Sequence, residues 1–169
     1  MPLLSLIIRV VVVCALLWLA VFDVRFRRLP TKVVLAVGAL FFVDALINRM
    51  PLDDVMKHLV LAFGVFLFCA AMFAANLLGG GDAKLASVIF LWVGLSLSLA
   101  ALTLISVIGT LVSLISLATK RMNPDQHTQP MRSLAMFSGA RGVPYGVALA
   151  LGGGTVIVLP VLLPMFLTR

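Results

Sequence analysis

Residues 83–119 read AKLASVIFLWVGLSLSLAALTLISVIGTLVSLISLAT, a run whose single charge is Lys84. As one helix, rising about 1.5 Å per residue, it would be nearly twice as long as a membrane's hydrocarbon core of about 30 Å is thick. The weak punctuation Gly94-Leu95-Ser96-Leu97-Ser98 divides it, so two spans are expected, near 83–99 and 101–119. Outward from this run, apolar stretches bounded by Pro, Gly or charge predict further helices near 2–22, 32–48, 57–78 and 143–167. The expected fold class is all-α, a polytopic membrane protein with about six transmembrane helices in a single domain over 1–169.

Composition points the same way. Of the 169 residues, 63% are hydrophobic and 11% charged, and the mean hydropathy of +1.21 excludes an ordinary soluble domain. The formal charge of +7 is scattered between apolar runs instead of forming a basic stripe with interleaved aromatics, so nucleic acid is not an expected partner; membrane lipid is. These charges instead report topology. Arg25, Arg27, Arg28 and Lys32 fall in the first loop, Lys84 beside the third, and Lys120, Arg121, Arg132 and Arg141 in or beside the fifth. The second loop sets Arg49 and Lys57 against Asp53 and Asp54, and the fourth carries no charge. The positive-inside rule then places loops one, three and five in the cytoplasm and both termini outside.

Met1 to Phe22 lacks a basic start and a small-x-small cleavage site before Asp23, and is read as a retained first helix. Within it, Arg9 must snorkel outward or find a partner. Cys14 and Cys69 lie in apolar runs and no CxxC occurs, so neither a disulfide framework nor a zinc site is expected. Met122 to Arg141 is the one substantial hydrophilic stretch, with Met131 to Phe137 as a candidate surface helix.

All six acidic residues are Asp. A charge at the bilayer centre costs about 2.5 to 3.5 kcal/mol even on the mildest scale, so an acid in or beside a span needs an account. Asp53, Asp54 and Asp125 are in loops and need none. Asp44, with Asn48 one turn on and Arg49 close by, reads as a satisfied structural cluster toward the outer end of the second helix. Asp23 ends the first helix and Asp82 follows Gly79-Gly80-Gly81 at the start of the fourth. Two crossings separate them, so they share the cytoplasmic face.

Each of these two acids has a plain structural reading. Asp82 suits a helix N-cap, and Asp23 suits an interfacial ion pair with Arg25 or Arg27. Together they also suit a dyad. Two facing carboxylates can hold one proton between them; the ionised one draws a proton from an attacking water while the protonated one stabilises the developing charge on a carbonyl oxygen. Glycines beside one acid would let an extended substrate approach closely, and non-helical backbone at this depth is tolerated where it lines a wet cavity.

Three elements of the sequence resemble the prepilin peptidases of bacteria and archaea, which belong to the GxGD intramembrane aspartyl proteases. Gly79-Gly80-Gly81-Asp82-Ala83-Lys84-Leu85 is similar to the family's GxGDxKL, Asp23 with Arg28-Leu29-Pro30 resembles the first catalytic aspartate and the R-x-I/L-P-N stretch after it, and Val143-Pro144-Tyr145-Gly146 resembles V/I-P-Y-G. They occur in the family's order and cover essentially the whole chain. The resemblance implies catalytic roles for Asp23 and Asp82, with Gly79, Gly80, Gly81, Lys84, Arg28, Pro30, Pro144, Tyr145 and Gly146 supporting the site or binding substrate. It further implies a multi-pass inner-membrane peptidase of type IV pilin, pseudopilin or related precursors, cutting after a glycine on the cytoplasmic side, with no cofactor and no metal. The short form looks most like the Tad/Cpa-type peptidases of Flp pilus systems. Thr31 stands where the family usually has Asn, and nothing corresponds to the paired-CxxC insertion of the methylating forms, so no methyltransferase activity is implied.

The supporting residues keep their structural alternatives. Lys84 suits a positive-inside anchor and Tyr145 an interfacial belt, while Pro144 suits the first turn of a helix. Gly152-Gly153-Gly154 suits close helix packing. Other protease classes fit poorly, since there is no HExxH and the only histidines, His58 and His127, lie at a span edge and in a loop. The competing functional class is a small transporter or channel subunit in which Asp44 and Asp82 carry protons or cations; a non-catalytic assembly subunit is a third.

Overall fold

The computed structural model describes residues 2–26, 28–118 and 145–167. Every regular element among them is an α-helix: α1 (Pro2–Phe26), α2 (Thr31–Ile47), α3 (Leu52–Ala74), α4 (Gly80–Ala118) and α5 (Tyr145–Leu167). Apolar side chains cover much of the outer surface, including Leu3, Ile7, Val11, Phe63, Leu95 and Leu117. By length and composition α1, α3 and α4 can each cross a membrane, and α5 adds a shorter apolar stretch over Tyr145–Pro160. In hydrocarbon a helix is the natural state of such segments, because every backbone N–H and C=O must be satisfied within the segment.

The helix ends differ from the expected ones for local reasons. α1 runs one turn past Phe22, so Asp23 lies inside its last turn and not beyond it. α3 starts at Leu52, directly after Pro51, with Asp53 and Asp54 in the first turn where the helix dipole favours acids. It closes at Ala74 through Asn76, whose φ of 58° lets Leu77 N–H reach the Met72 carbonyl at 2.9 Å. α2 closes in the same way on Arg49 (φ 50°), with Met50 N–H donating to Ala45.

The expected fourth and fifth spans form one element, and its break falls at Gly94 (φ 66°, ψ 179°), ahead of the expected boundary near residue 100. The break is packed from α3. His58 Nδ1 lies 2.7 Å from the Leu91 carbonyl, in the turn before the interruption. The imidazole occupies the space that a Cβ on Gly94 would need. Phe41 stacks on His58 (5.2 Å) and meets Trp92 edge-on (5.8 Å), and Trp92 Nε1 donates to the Val37 carbonyl.

After the break, the second arm of α4 (95–118) returns beside the first (80–93). Ala86 and Phe90 of one arm and Leu102 and Ile105 of the other line a single cavity. Consecutive glycines of α5 touch both arms: a Cβ on Gly152 would sit 2.8 Å from the Ile105 backbone nitrogen, and one on Gly153 3.0 Å from Ile89 Cδ1. The glycine triplet is thus a packing surface, as expected. α1, α4 and α5 form the centre, where Val12, Leu16, Leu85, Ile89, Val156 and Ile157 are fully buried. α3 packs chiefly on α4 and buries only Cys69.

Candidate active site

Asp23 and Asp82 come from opposite ends of their helices and line one cavity of about 340 Å³ with Arg28, Leu29, Thr31, Gly79, Gly80, Gly81 and Lys84. Asp23 is 7% exposed, on the last turn of α1. The backbone N–H of Gly146, second residue of α5, donates to its Oδ2 at 3.0 Å. The carboxylate therefore sits against the first described turn of α5. A Cβ on residue 146 would lie 2.7 Å from that oxygen and 2.9 Å from Cγ, so only glycine allows this approach.

Asp82 is not the N-cap of α4. The helix begins at Gly80, which puts Asp82 within its first turn. Its carboxylate folds back over Gly79, where a Cβ would stand 2.8 Å from Oδ2, and the Gly79 backbone hydrogen-bonds to it. Gly81 faces Leu29, whose Cβ would be 3.1 Å from a Cβ on residue 81. The loop after α1 and the start of α4 are thereby held together.

Lys84 Nζ donates to Thr31 Oγ1 at 3.3 Å across the cavity wall, so the residue that departs from the family pattern is part of the site. Pro30 does not line the cavity; its extended backbone (φ −68°, ψ 111°) starts α2, and its carbonyl accepts from Val33 and Val34, which sets Thr31 in place. Tyr145 lies outside this cavity and lines an apolar one that also reaches Asp82. Pro144, Arg27, His127, the fifth-loop cations and the expected helix at Met131–Phe137 lie outside the described residues. Leu29 and Thr31 are lining residues that sequence reasoning did not assign; their place directly after Arg28 was the available signal.

Asp44 is remote from this cavity and is a satisfied cluster, with one correction to its membership. Its buried carboxylate accepts from Ser5 Oγ (2.6 Å), Asn48 Nδ2 (3.0 Å) and Arg9 Nη2 (3.2 Å), while Arg9 Nη1 donates to the Ile157 carbonyl. The cationic partner is Arg9 and not Arg49, whose backbone is committed to the turn that ends α2. Arg9 accordingly does not need to snorkel.

Fold and cavity define a helical membrane protein whose polar site is assembled from helix ends within an apolar bundle. The family model of the type IV leader peptidase family matches residues 10–114, more than half of the chain, and the match includes both Asp23 and Asp82. The chain belongs to this family and is a peptidase of the leader-peptidase type. No curated protein and no solved structure matches it.

Proposed function

We propose that the protein is an intramembrane aspartyl endopeptidase that removes the leader peptides of type IV pilin-like precursors, of the Flp pilin or pseudopilin kind, on the cytoplasmic side of the inner membrane. The observation that carries this is the shared cavity of Asp23 and Asp82. One carboxylate takes a proton from a water as it attacks the scissile carbonyl, and the other, protonated, donates to the carbonyl oxygen as charge builds there. Gly146 N–H fixes the orientation of Asp23, and the Gly79 turn that of Asp82.

Six crossings are the topology we infer: α1, α2, α3, the two arms of α4, and α5. Its support is the return of the second α4 arm alongside the first. Arg28, Lys32 and Lys84 then lie at the same end as both acids, which favours a cytoplasmic site.

The test is co-expression with candidate pilin precursors, reading the size shift on processing. Asp23→Asn and Asp82→Asn are each expected to cut processing by about 10⁴-fold or more while the protein remains folded in the membrane. Retained cleavage in either variant would falsify the dyad.

A further inference from the structure

Asp82 lines two cavities of opposite character and is the one described residue that these two share. One is the polar cavity shared with Asp23, Arg28 and Lys84. The other, of about 530 Å³, is almost wholly apolar and extends from Asp82 between α3, both arms of α4 and α5; its walls include Val65, Phe68, Leu99, Leu102 and Leu149. A chain laid across Asp82 must therefore pass from a polar chamber into an apolar one within a few residues.

We propose that this apolar groove is the docking site for the apolar membrane segment of the substrate, held with its cleaved end at Asp82 and its polar flank in the Asp23 cavity. The inference rests on the peptidase reading and gives the site a direction. Its volume lies within the range of about 300 to 1,000 Å³ typical of built ligand sites. The groove reaches Asp82 directly, and its wall contains the helix least embedded in the bundle. α3 packs chiefly on α4, Phe68 is 68% exposed, and Leu102 across the groove is 53% exposed. A segment already in the bilayer can thus enter sideways past α3 without leaving hydrocarbon.

A lipid tail is the poorer occupant. It would leave the Asp82 carboxyl at the groove's end facing hydrocarbon, which is costly, whereas the backbone of a peptide brings donors and acceptors to the same place.

A photoreactive benzoylphenylalanine at position 102, in the Asp82→Asn background and with an Flp-type precursor co-expressed, tests this directly. The expected adduct joins position 102 to the first turns of the precursor's apolar span. The same label at Arg28 is expected to capture the leader side, and at Val11, an exposed α1 position outside both cavities, no precursor. Adducts at position 102 with lipid alone, or with the leader, overturn the assignment. As a second measurement, Leu102→Trp is expected to slow processing about tenfold by filling the groove, and Val11→Trp to leave it unchanged; equal processing by the two overturns it as well. If the unmodified protein processes the precursor but position 102 captures only lipid, the groove assignment fails alone. If it processes no precursor, the peptidase reading fails and this one with it.

Discussion

Gly146 and Asp23 are joined by a hydrogen bond of 3.0 Å from the backbone N–H at the start of α5 to the carboxylate at the end of α1. The bond links the first and last described helices at the site itself, and it requires a residue without a side chain. Two catalytic carboxylates are useful only if their oxygens are held in place, since misplacement of about 1 Å can cost on the order of 100-fold in rate. In the proposed dyad, Gly146 would be a positioning residue for Asp23 and not a participant in the chemistry.

Gly146→Ala is expected to reduce precursor processing by about 100-fold, because the new Cβ would stand 2.7 Å from Asp23 Oδ2 and the carboxylate must swing away. Helical content in detergent, followed by circular dichroism, should stay near that of the unmodified protein. Processing close to normal would show that Asp23 tolerates displacement and would remove Gly146 from the site.

Lys84 and Thr31 form the second contact across the cavity. Thr31→Val removes the acceptor while conserving shape, and processing is expected to fall by about a factor of 5 to 10, the worth of a single hydrogen bond of about 1 kcal/mol. Thr31→Asn supplies an amide oxygen in its place and is expected to retain activity. If Val and Asn behave alike, the Lys84 contact has no part in catalysis.

Both acids of the candidate site were legible because a charge in an apolar run always demands an account, and the glycine triplet marked one of them. The bond that fixes Asp23 was not, since it depends on α5 arriving at the end of α1, and nothing local to Asp23 announces that. The same limit explains Arg9. Asn48 and Arg49 lie close to Asp44 in sequence, so local spacing favoured both; Asn48 does join the cluster, but Arg49 sits at a positive φ that turns the chain out of α2, leaving Arg9 to reach across from α1. The Gly94 break was legible as weak punctuation. Its position within that stretch was not, because His58 of α3 fixes it.

Gly94→Ala tests that packing. Alanine at φ 66° is strained by about 1 to 3 kcal/mol, and its methyl group would overlap the His58 ring. The expected result is a lower midpoint of thermal aggregation in detergent. Adding His58→Ala removes the overlap but not the backbone strain, so the double variant should recover only part of the loss relative to His58→Ala alone. Strict additivity of the two changes would mean that the imidazole does not press on the break.

Asp44 separates the peptidase from the transporter alternative. Its carboxylate is buried and engaged by Ser5, Asn48 and Arg9, a fixed ion pair and not an open station on a conduction path. Asp44→Ala leaves the Arg9 guanidinium without its counter-charge, and breaking a buried pair from one side destabilises by about 3 to 5 kcal/mol. Asp44→Asn keeps an oxygen acceptor for Ser5 and Asn48 and should cost less. The expectation is that Asp44→Asn, once in the membrane, processes precursor at the normal rate, because the cluster is remote from the Asp23 and Asp82 cavity. Removing both charges with Arg9→Met and Asp44→Leu should restore much of the stability lost in Asp44→Ala, since no unpaired charge remains in the bundle. An Asp44-dependent proton or cation flux in proteoliposomes, with no processing of any precursor, would reverse the assignment and make this cluster the functional centre.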